Sequence, residues 1–372
     1  MNLNVRIEPQ EGPTAIVRIG PTEGILSKGR DLLEFSDQEG FVRHVPLPPD
    51  ISYLDDGDIV RVNLAGGEIR TLYRRNSRHN SLFFTERCNS RCLMCSQPPR
   101  DIDDDYLVDE MLKFIPLMSH DTCEIGITGG EPTLLGARFL EVLRCLKKSV
   151  PRTSVHVLTN GRRFKDLDFA KAVADVGHPD LVLGIPLYAD VPWKHDFIVQ
   201  ADGAFSETVL GLLNLGRVGV SIELRFVVHR QSFDRMAETA RFAGRNFPFI
   251  RQFALMGLEL TGFAKSNLGA LWIEPAEYVC HLEKAVEELL FWRIRPLILN
   301  HQLCTIPESL WPHTCKSISD WKNIYYPQCE ECDVREDCGG FFASSTFRRS
   351  ASIHPIKRSV LGGAKHAFQQ VG

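Results

Sequence analysis

The stretch FFTERCNSRCLMCSQPPR, residues 83–100, holds three cysteines, Cys88, Cys92 and Cys95, spaced x3 and x2. A disulfide uses two cysteines, and a structural zinc site usually takes four ligands. Three is an incomplete set for either. The residues SLFFTER, 81–87, read as a strand, which puts the cysteines in the loop that follows it. Loops at the C-terminal ends of parallel strands are where α/β folds place their sites. Three thiolates on a [4Fe–4S] cube leave one iron without a protein ligand, and an open iron can bind a small molecule. An incomplete ligand set therefore suits catalysis better than structure.

Downstream of this loop, strand and helix candidates alternate. SLFFTER precedes a helix at DEMLKFIPLM, CEIGITGG precedes LGARFLEVLRCLKK, and SVHVLTNG precedes KDLDFAKAVADV. DLVLGIPLY precedes SETVLGLLNLG, SIELRFVVH precedes DRMAETARFAGR, and IRQFALMGLEL is a sixth strand candidate. The strands are short, apolar and β-branched, and the helices carry apolar residues at i, i+3, i+4. Six βα units imply a parallel sheet with right-handed crossovers. A full eight-unit barrel needs two more strand–helix pairs, which the pattern does not offer. The expected fold class is therefore α/β, a partial (βα)6 barrel over 78–262.

Other segments flank this barrel. Residues 1–77 contain the β-type runs TAIVRIG, DIVRVNL and EIRTLYRR between turn signals, and read as a small β-rich domain joined through RRNSRHN. Residues 263–342 hold a long amphipathic helix at PAEYVCHLEKAVEELLFWR and then a cysteine-rich stretch without periodicity. Residues 343–372 form a basic tail with Arg348, Arg349, Lys357, Arg358 and Lys365 and no acidic residue, read as a solvated, frayed end.

Composition sets outer limits. The chain has 372 residues with 44% hydrophobic and 24% charged content and a formal net charge of −4. Such a balance gives no reason to expect nucleic-acid binding. MNLNVRIEPQEG carries no apolar signal region, and no apolar run approaches the ~18 residues of a membrane span. A cytoplasmic protein is expected. In a reducing compartment its eleven cysteines point to metal ligation rather than disulfides where they cluster. Cys123, Cys145 and Cys280 are scattered and read as small buried apolar side chains.

The end of the second strand candidate reads GITGGEP, residues 126–132. Gly129 and Gly130 allow close backbone approach, and Pro132 suits the turn into a following helix. Taken with the triplet one unit earlier, this motif resembles the radical S-adenosylmethionine (radical SAM) superfamily. The resemblance implies that Cys88, Cys92 and Cys95 hold a [4Fe–4S] cluster whose fourth iron is chelated by S-adenosylmethionine. One electron then cleaves the sulfonium to methionine and a 5′-deoxyadenosyl radical, which abstracts hydrogen from substrate. It further implies that Gly129, Gly130, Glu131 and Pro132 bind the cofactor, with backbone carbonyls and the Glu131 carboxylate accepting from its ammonium. Asn160, in LTNG, is implied at the ribose, and Arg225, in ELRFVV, at the cofactor carboxylate. An interior arginine in an apolar strand needs a partner in any case. Tyr188 lies near the same rim and reads as packed, and His195 and Asp196 as shaping a loop. Met94 stands where the superfamily often has an aromatic residue; it is apolar and adaptable enough to shield a cluster.

A second cysteine group, CEECDVREDCGGFF, gives Cys329-x2-Cys332-x5-Cys338, with Cys315 and Cys304 upstream. Four cysteines in a loop-rich segment can close a zinc or an iron–sulfur site. The run resembles the auxiliary-cluster segment of peptide-modifying radical SAM enzymes in its shorter, single-cluster form. A second [4Fe–4S] cluster is implied, held by Cys329, Cys332 and Cys338 with Cys315 or Cys304, or with no fourth protein ligand. NHQLC, SISDWKN and CEECDVREDCGGFFASS, with the β-rich N-terminal region, resemble the HxsC maturase family of the His-Xaa-Ser peptide system. That resemblance implies a ribosomally made peptide substrate, an electron donor such as flavodoxin or ferredoxin, and a partner radical SAM enzyme of the HxsB type. A radical SAM enzyme of small-molecule cofactor synthesis is the alternative within enzymes. A non-catalytic iron–sulfur or zinc module is the alternative outside them.

Overall fold

The computed structural model describes residues 4–316 and 324–357, except 8, 11, 13, 21–23, 28–31 and 37–40; of Gly24–Ser27 only the backbone is described. The motif SISDWKN spans Ser317–Asn323 and lies outside the described residues, as do Arg358 and Lys365.

The N-terminal region forms two antiparallel sheets. The first comprises β1 (Asn4–Arg6), β2 (Thr14–Arg18), β6 (Ile59–Asn63) and β7 (Glu68–Tyr73) in the order β1-β7-β6-β2; β3 (Gly24–Ser27), β4 (Leu32–Ser36) and β5 (Val42–Pro46) make the second. Their alternation turns Val17, Leu33, Phe35, Val45, Val60, Val62 and Ile69 into a shared core. This unit docks on the rest of the chain through Ile59 and Tyr73, which join the main core, and through polar contacts. Arg61 donates to Glu110 at 3.1 Å, and the Tyr73 and Thr122 hydroxyls lie 2.8 Å apart.

The larger unit is one parallel sheet of eight strands in strict chain order. It runs β8 (His79–Phe83), α1 (Tyr106–Phe114), β9 (Glu124–Thr128), α2 (Ala137–Ser149), β10 (Ser154–Leu158), α3 (Leu167–Val176) and β11 (Leu181–Pro186). There follow α4 (Pro192–Val199), α5 (Ala204–Arg217), β12 (Ser221–Val228), α6 (Met236–Asn246) and β13 (Gln252–Gly257). Two short helices, α7 (Gly262–Ser266) and α8 (Leu268–Leu271), lead to α9 (Pro275–Phe291), β14 (Arg295–Leu299) and β15 (Thr314–Cys315). Each neighbouring pair is parallel, and β8 and β15 are the two edges, so the sheet is a curled half-barrel rather than a closed one.

Six strands were expected and eight are present. RPLIL, just after the long helix, and TC, inside the cysteine-rich stretch, extend the sheet by two. A five-residue strand containing Pro296, followed by helical turns rather than a full helix, carries too little pattern to be recognised. The helix α4 also went unread, because Trp193 and Phe197 are exposed on it and no one-sided apolar stripe results.

The helices cover the outer face. Phe84, fully buried just before the cysteine loop, meets Phe139 of α2 edge-to-face at 5.8 Å, and Phe139 continues to Phe169 of α3 at 6.4 Å. Burying one such ring contributes about 2–3 kcal/mol, enough to fix where the strand ends and the loop begins. The inner face carries a different set. His156, Glu223, Arg225 and Gln252 form a polar group on it, and Ala254, Met256, Leu297, Leu299 and Cys315 an apolar wall.

Candidate active site at the mouth of the half-barrel

The cysteine loop leaves β8 and is latched on three sides. Below, Gly130 N donates to Thr85 O at 2.6 Å and Glu131 N to Arg87 O at 2.8 Å, so GGEP is hydrogen-bonded to the loop's first turn. A Cβ at Gly130 would meet Arg87 O at 2.1 Å, and one at Gly129, where φ is +137°, would meet Thr85 O at 2.6 Å. Only glycine lets the two backbones come this close. On the second side, Leu93 N donates to Ile198 O and Arg91 N to Val199 O, both at the end of α4. On the third, Phe263 N donates to Cys95 O and the Asn267 side chain to Leu93 O. Gly262 seats that contact, since a Cβ there would lie 2.4 Å from Cys95 O.

Met94 is buried beneath the loop with Tyr188, Ile198, Ala264 and Leu271. Tyr188 is packed there, its ring stacked on His195 with centroids 5.9 Å apart. His195 Nδ1 accepts from Tyr188 N at 3.2 Å. The Asp196 carboxylate accepts from Gly203 N at 2.8 Å and Phe205 N at 2.7 Å, shaping the turn between α4 and α5.

Glu131 is almost fully buried, and its carboxylate is well occupied. It accepts from Thr133 N at 3.0 Å, Thr133 Oγ1 at 2.5 Å, Thr159 Oγ1 at 2.7 Å and Asn160 N at 2.6 Å. Burial pushes its carboxyl above the usual range, and these donors pull it back. Glu131 therefore ties the end of β9 to the end of β10. Asn160 in turn donates from its side chain to Asn89 Oδ1 at 2.6 Å, inside the cysteine loop. Arg162, which the sequence reading did not single out, clamps the same loop: it donates to Asn89 O at 2.5 Å and Ser90 Oγ at 3.2 Å and is anchored on Glu207 at 2.6 Å. A single arginine after a glycine turn gives no signal in sequence of what it will reach.

Arg225 has the partner an interior arginine requires. Its Nη1 donates to Glu223 Oε1 at 2.7 Å, and Gln252 donates to the other oxygen at 2.5 Å. A Cβ at Gly184 would lie 2.9 Å from His156 Nε2 and 3.0 Å from Arg225 Cδ, so the missing side chain leaves room for both.

Cys88, Cys92 and Cys95 share one loop, and none of the three is in a disulfide. Burial pushes the Cys88 thiol up to about 11, with Glu131 adding to it, and the Cys92 thiol up to about 12, with Cys95 and Cys88 adding to it. Three half-buried sulfurs on one loop are a donor set that a cationic iron–sulfur core would stabilise as thiolates. The residues fit a cluster with three cysteine ligands.

The C-terminal cysteines gather elsewhere. Cys304, Cys329, Cys332 and Cys338 line one pocket together with Leu303, Tyr325, Val334, Arg335, Phe341 and His354. Cys315 does not line it; on β15 it pairs with Leu299 in register and packs on the inner apolar wall with Met256. Among the described residues no group of three or more His, Cys, Asp or Glu side chains is arranged to hold a single metal ion. The described part of the tail is folded back rather than frayed. Arg348 lies over Trp272 at 5.3 Å, Arg349 over Tyr326 at 4.2 Å, and Ser344 and Ser350 are buried. No helix among the described residues is long and apolar enough to cross a membrane.

Comparison with known proteins places a name on part of this architecture. Residues 82–243 match the radical SAM superfamily. No curated protein matches the chain. Among solved structures, Streptococcus suis SuiB bound to S-adenosylmethionine is 14% identical, with a TM-score of 0.49 over 60% of this chain and 50% of that one. Native anSMEcpe with bound AdoMet is 18% identical, with a TM-score of 0.43 over 59% and 62%. Coproporphyrinogen III oxidase (HemN) from Escherichia coli is 14% identical, with a TM-score of 0.45 over 57% and 52%. The chain spans about half the length of the SuiB chain it matches.

Proposed function

We propose that the radical SAM domain of residues 82–243 works as a reductive S-adenosylmethionine lyase and that the chain uses it to modify a ribosomally made peptide. The observation that carries this reading is the latch between the cysteine loop and GGEP, in which Gly130 and Glu131 hydrogen-bond to Thr85 and Arg87. It supports the reading because it ties the loop that carries the three cysteines to the GGEP turn by backbone hydrogen bonds.

When bound, the cluster and S-adenosylmethionine supply a 5′-deoxyadenosyl radical by one-electron cleavage of the sulfonium. The chain's own residues do the rest. Cys88, Cys92 and Cys95 would hold the cluster and leave one iron open to the cofactor. Backbone carbonyls at Gly129 and Gly130 would accept from the ammonium. Glu131, whose carboxylate is already engaged by Thr133, Thr159 and Asn160, acts mainly by holding that rim in place. Pro132 starts the turn that follows. Asn160 would face the ribose, and Arg225, braced by Glu223, would offer its remaining N–H groups to the carboxylate. The apolar wall of Ala254, Met256 and Leu299 would keep water from the reaction.

The peptide class rests on the C-terminal cysteine segment and its resemblance to the HxsC maturases. A second [4Fe–4S] cluster at Cys329, Cys332 and Cys338, a flavodoxin- or ferredoxin-type donor and an HxsB-like partner belong to the same reading. The test is anaerobic reconstitution and reduction, followed by mass spectrometry of a co-expressed His-Xaa-Ser repeat peptide. A defined mass change that requires Cys88 supports the reading. An unaltered peptide alongside 5′-deoxyadenosine release would move the substrate to a small molecule.

A further inference from the structure

We infer that Cys304, not Cys315, is the fourth protein ligand of the C-terminal cluster, so that this cluster is closed and takes no substrate on iron. The inference rests on the auxiliary-cluster reading above and assigns the ligand which that reading leaves open.

Topology separates the two candidates. The five residues NHQLC run from the C-terminal end of β14 straight into the pocket that Cys329, Cys332 and Cys338 line. Asn300 makes the turn in a left-handed conformation, φ +62°, and its side chain donates to Gly257 O at 3.3 Å. Gln302 then donates to Gly340 O at 2.9 Å, pinning the connection beside Cys338. Cys304 thus reaches the pocket on a connection held at Asn300 and Gln302.

The pocket is also built for sulfur that carries charge. Ile356 N donates to Cys332 Sγ at 3.4 Å, and Gly340 N to Cys338 Sγ at 3.5 Å. Such N–H donors favour thiolate over thiol and tune the potential of a cluster. Cys315 also passes near this segment, its carbonyl oxygen 3.8 Å from where a Cβ on Gly339 would stand, but it does not line the pocket. On β15 it pairs in register with Leu299 and packs on the inner wall of the half-barrel with Met256. Four thiolates complete an iron–sulfur cube, and no iron remains to bind a substrate heteroatom.

The consequence for substrate is geometric. Gln302 and Phe341 line both the four-cysteine pocket and the adjoining cleft at the ends of β12, β13 and β14. A substrate in that cleft would lie against this shared wall rather than on an iron.

The experiment starts from full-length Cys88→Ala/Cys92→Ala/Cys95→Ala protein, reconstituted anaerobically, with iron, zinc and sulfide counted and EPR recorded after mild oxidation. We expect about four irons and four sulfides per chain, from the C-terminal site alone. Adding Cys304→Ala, or the milder Cys304→Ser, is expected to lower the count and to give a three-iron EPR signal on oxidation. Adding Cys315→Ala is expected to leave count and spectrum unchanged. Circular dichroism confirms folding of each. Loss on Cys315→Ala, or full retention on both Cys304 variants, would overturn the inference. No metal in the triple variant would instead remove the auxiliary-cluster reading itself. Zinc with the same variant pattern would keep the ligand set and overturn its iron–sulfur character.

Discussion

The α-carbon of Gly130 lies so close to Arg87 that a methyl group on it would meet the Arg87 carbonyl oxygen at 2.1 Å. This contact joins the two motifs on which the site depends. Gly130→Ala is expected to cost about 2 kcal/mol or more, because a backbone atom cannot rotate aside as a side chain can. It should also lower iron at Cys88, Cys92 and Cys95. Iron analysis and chemical denaturation check both; a variant with native iron content and stability would mean that the latch is not needed.

Arg162 spans from Glu207 to Asn89 and Ser90. Arg162→Ala removes three hydrogen bonds, two of them to the cysteine loop. We expect a folded protein whose cluster is lost several-fold faster to a chelator, read from the decay of its visible absorbance. An unchanged decay would show that the latches at Gly130 and α4 suffice alone.

Arg225 and Glu223 form the braced pair on β12. Arg225→Met is expected to weaken S-adenosylmethionine binding by tenfold or more, about 1.4 kcal/mol at the least, with cluster content unchanged. Glu223→Gln should weaken it less, since the guanidinium remains but loses its brace. Isothermal titration of the reconstituted protein measures both.

How much of this was legible in the sequence differs by region. The strands β8 to β13 and the helices α1, α2, α3, α5, α6 and α9 announce themselves, because buried strands are continuous apolar runs and their helices have one apolar face. Strands β14 and β15 do not, because two to five residues leave no period to read. The triplet and GGEP are local motifs and legible as such. Their joining through Gly130 and Arg87 is a tertiary fact, as is the reach of Arg162. The separation of Cys304 from Cys315 follows from strand register, which spacing along the chain does not contain.

Burial lowers several histidines, three of them far: His229 to about 3, and His195 and His301 to about 4. A base depressed on folding contributes stability that is present above its unfolded pKa of about 6.5 and lost as pH falls towards the folded value. Each is expected to cost about 2 kcal/mol between pH 7 and pH 5. Urea unfolding midpoints should therefore fall over this window, and His229→Gln should reduce the fall. A midpoint that is flat from pH 7 to 5 would show that these rings are hydrated.

The central claim is that the three cysteines of the loop hold a cluster that cleaves S-adenosylmethionine. Chromatographic quantitation of 5′-deoxyadenosine from the anaerobically reconstituted, dithionite-reduced protein tests it most directly. The expected result is product from the native chain and none from Cys88→Ala. A filled, reduced cluster in the native chain that yields no 5′-deoxyadenosine would contradict it.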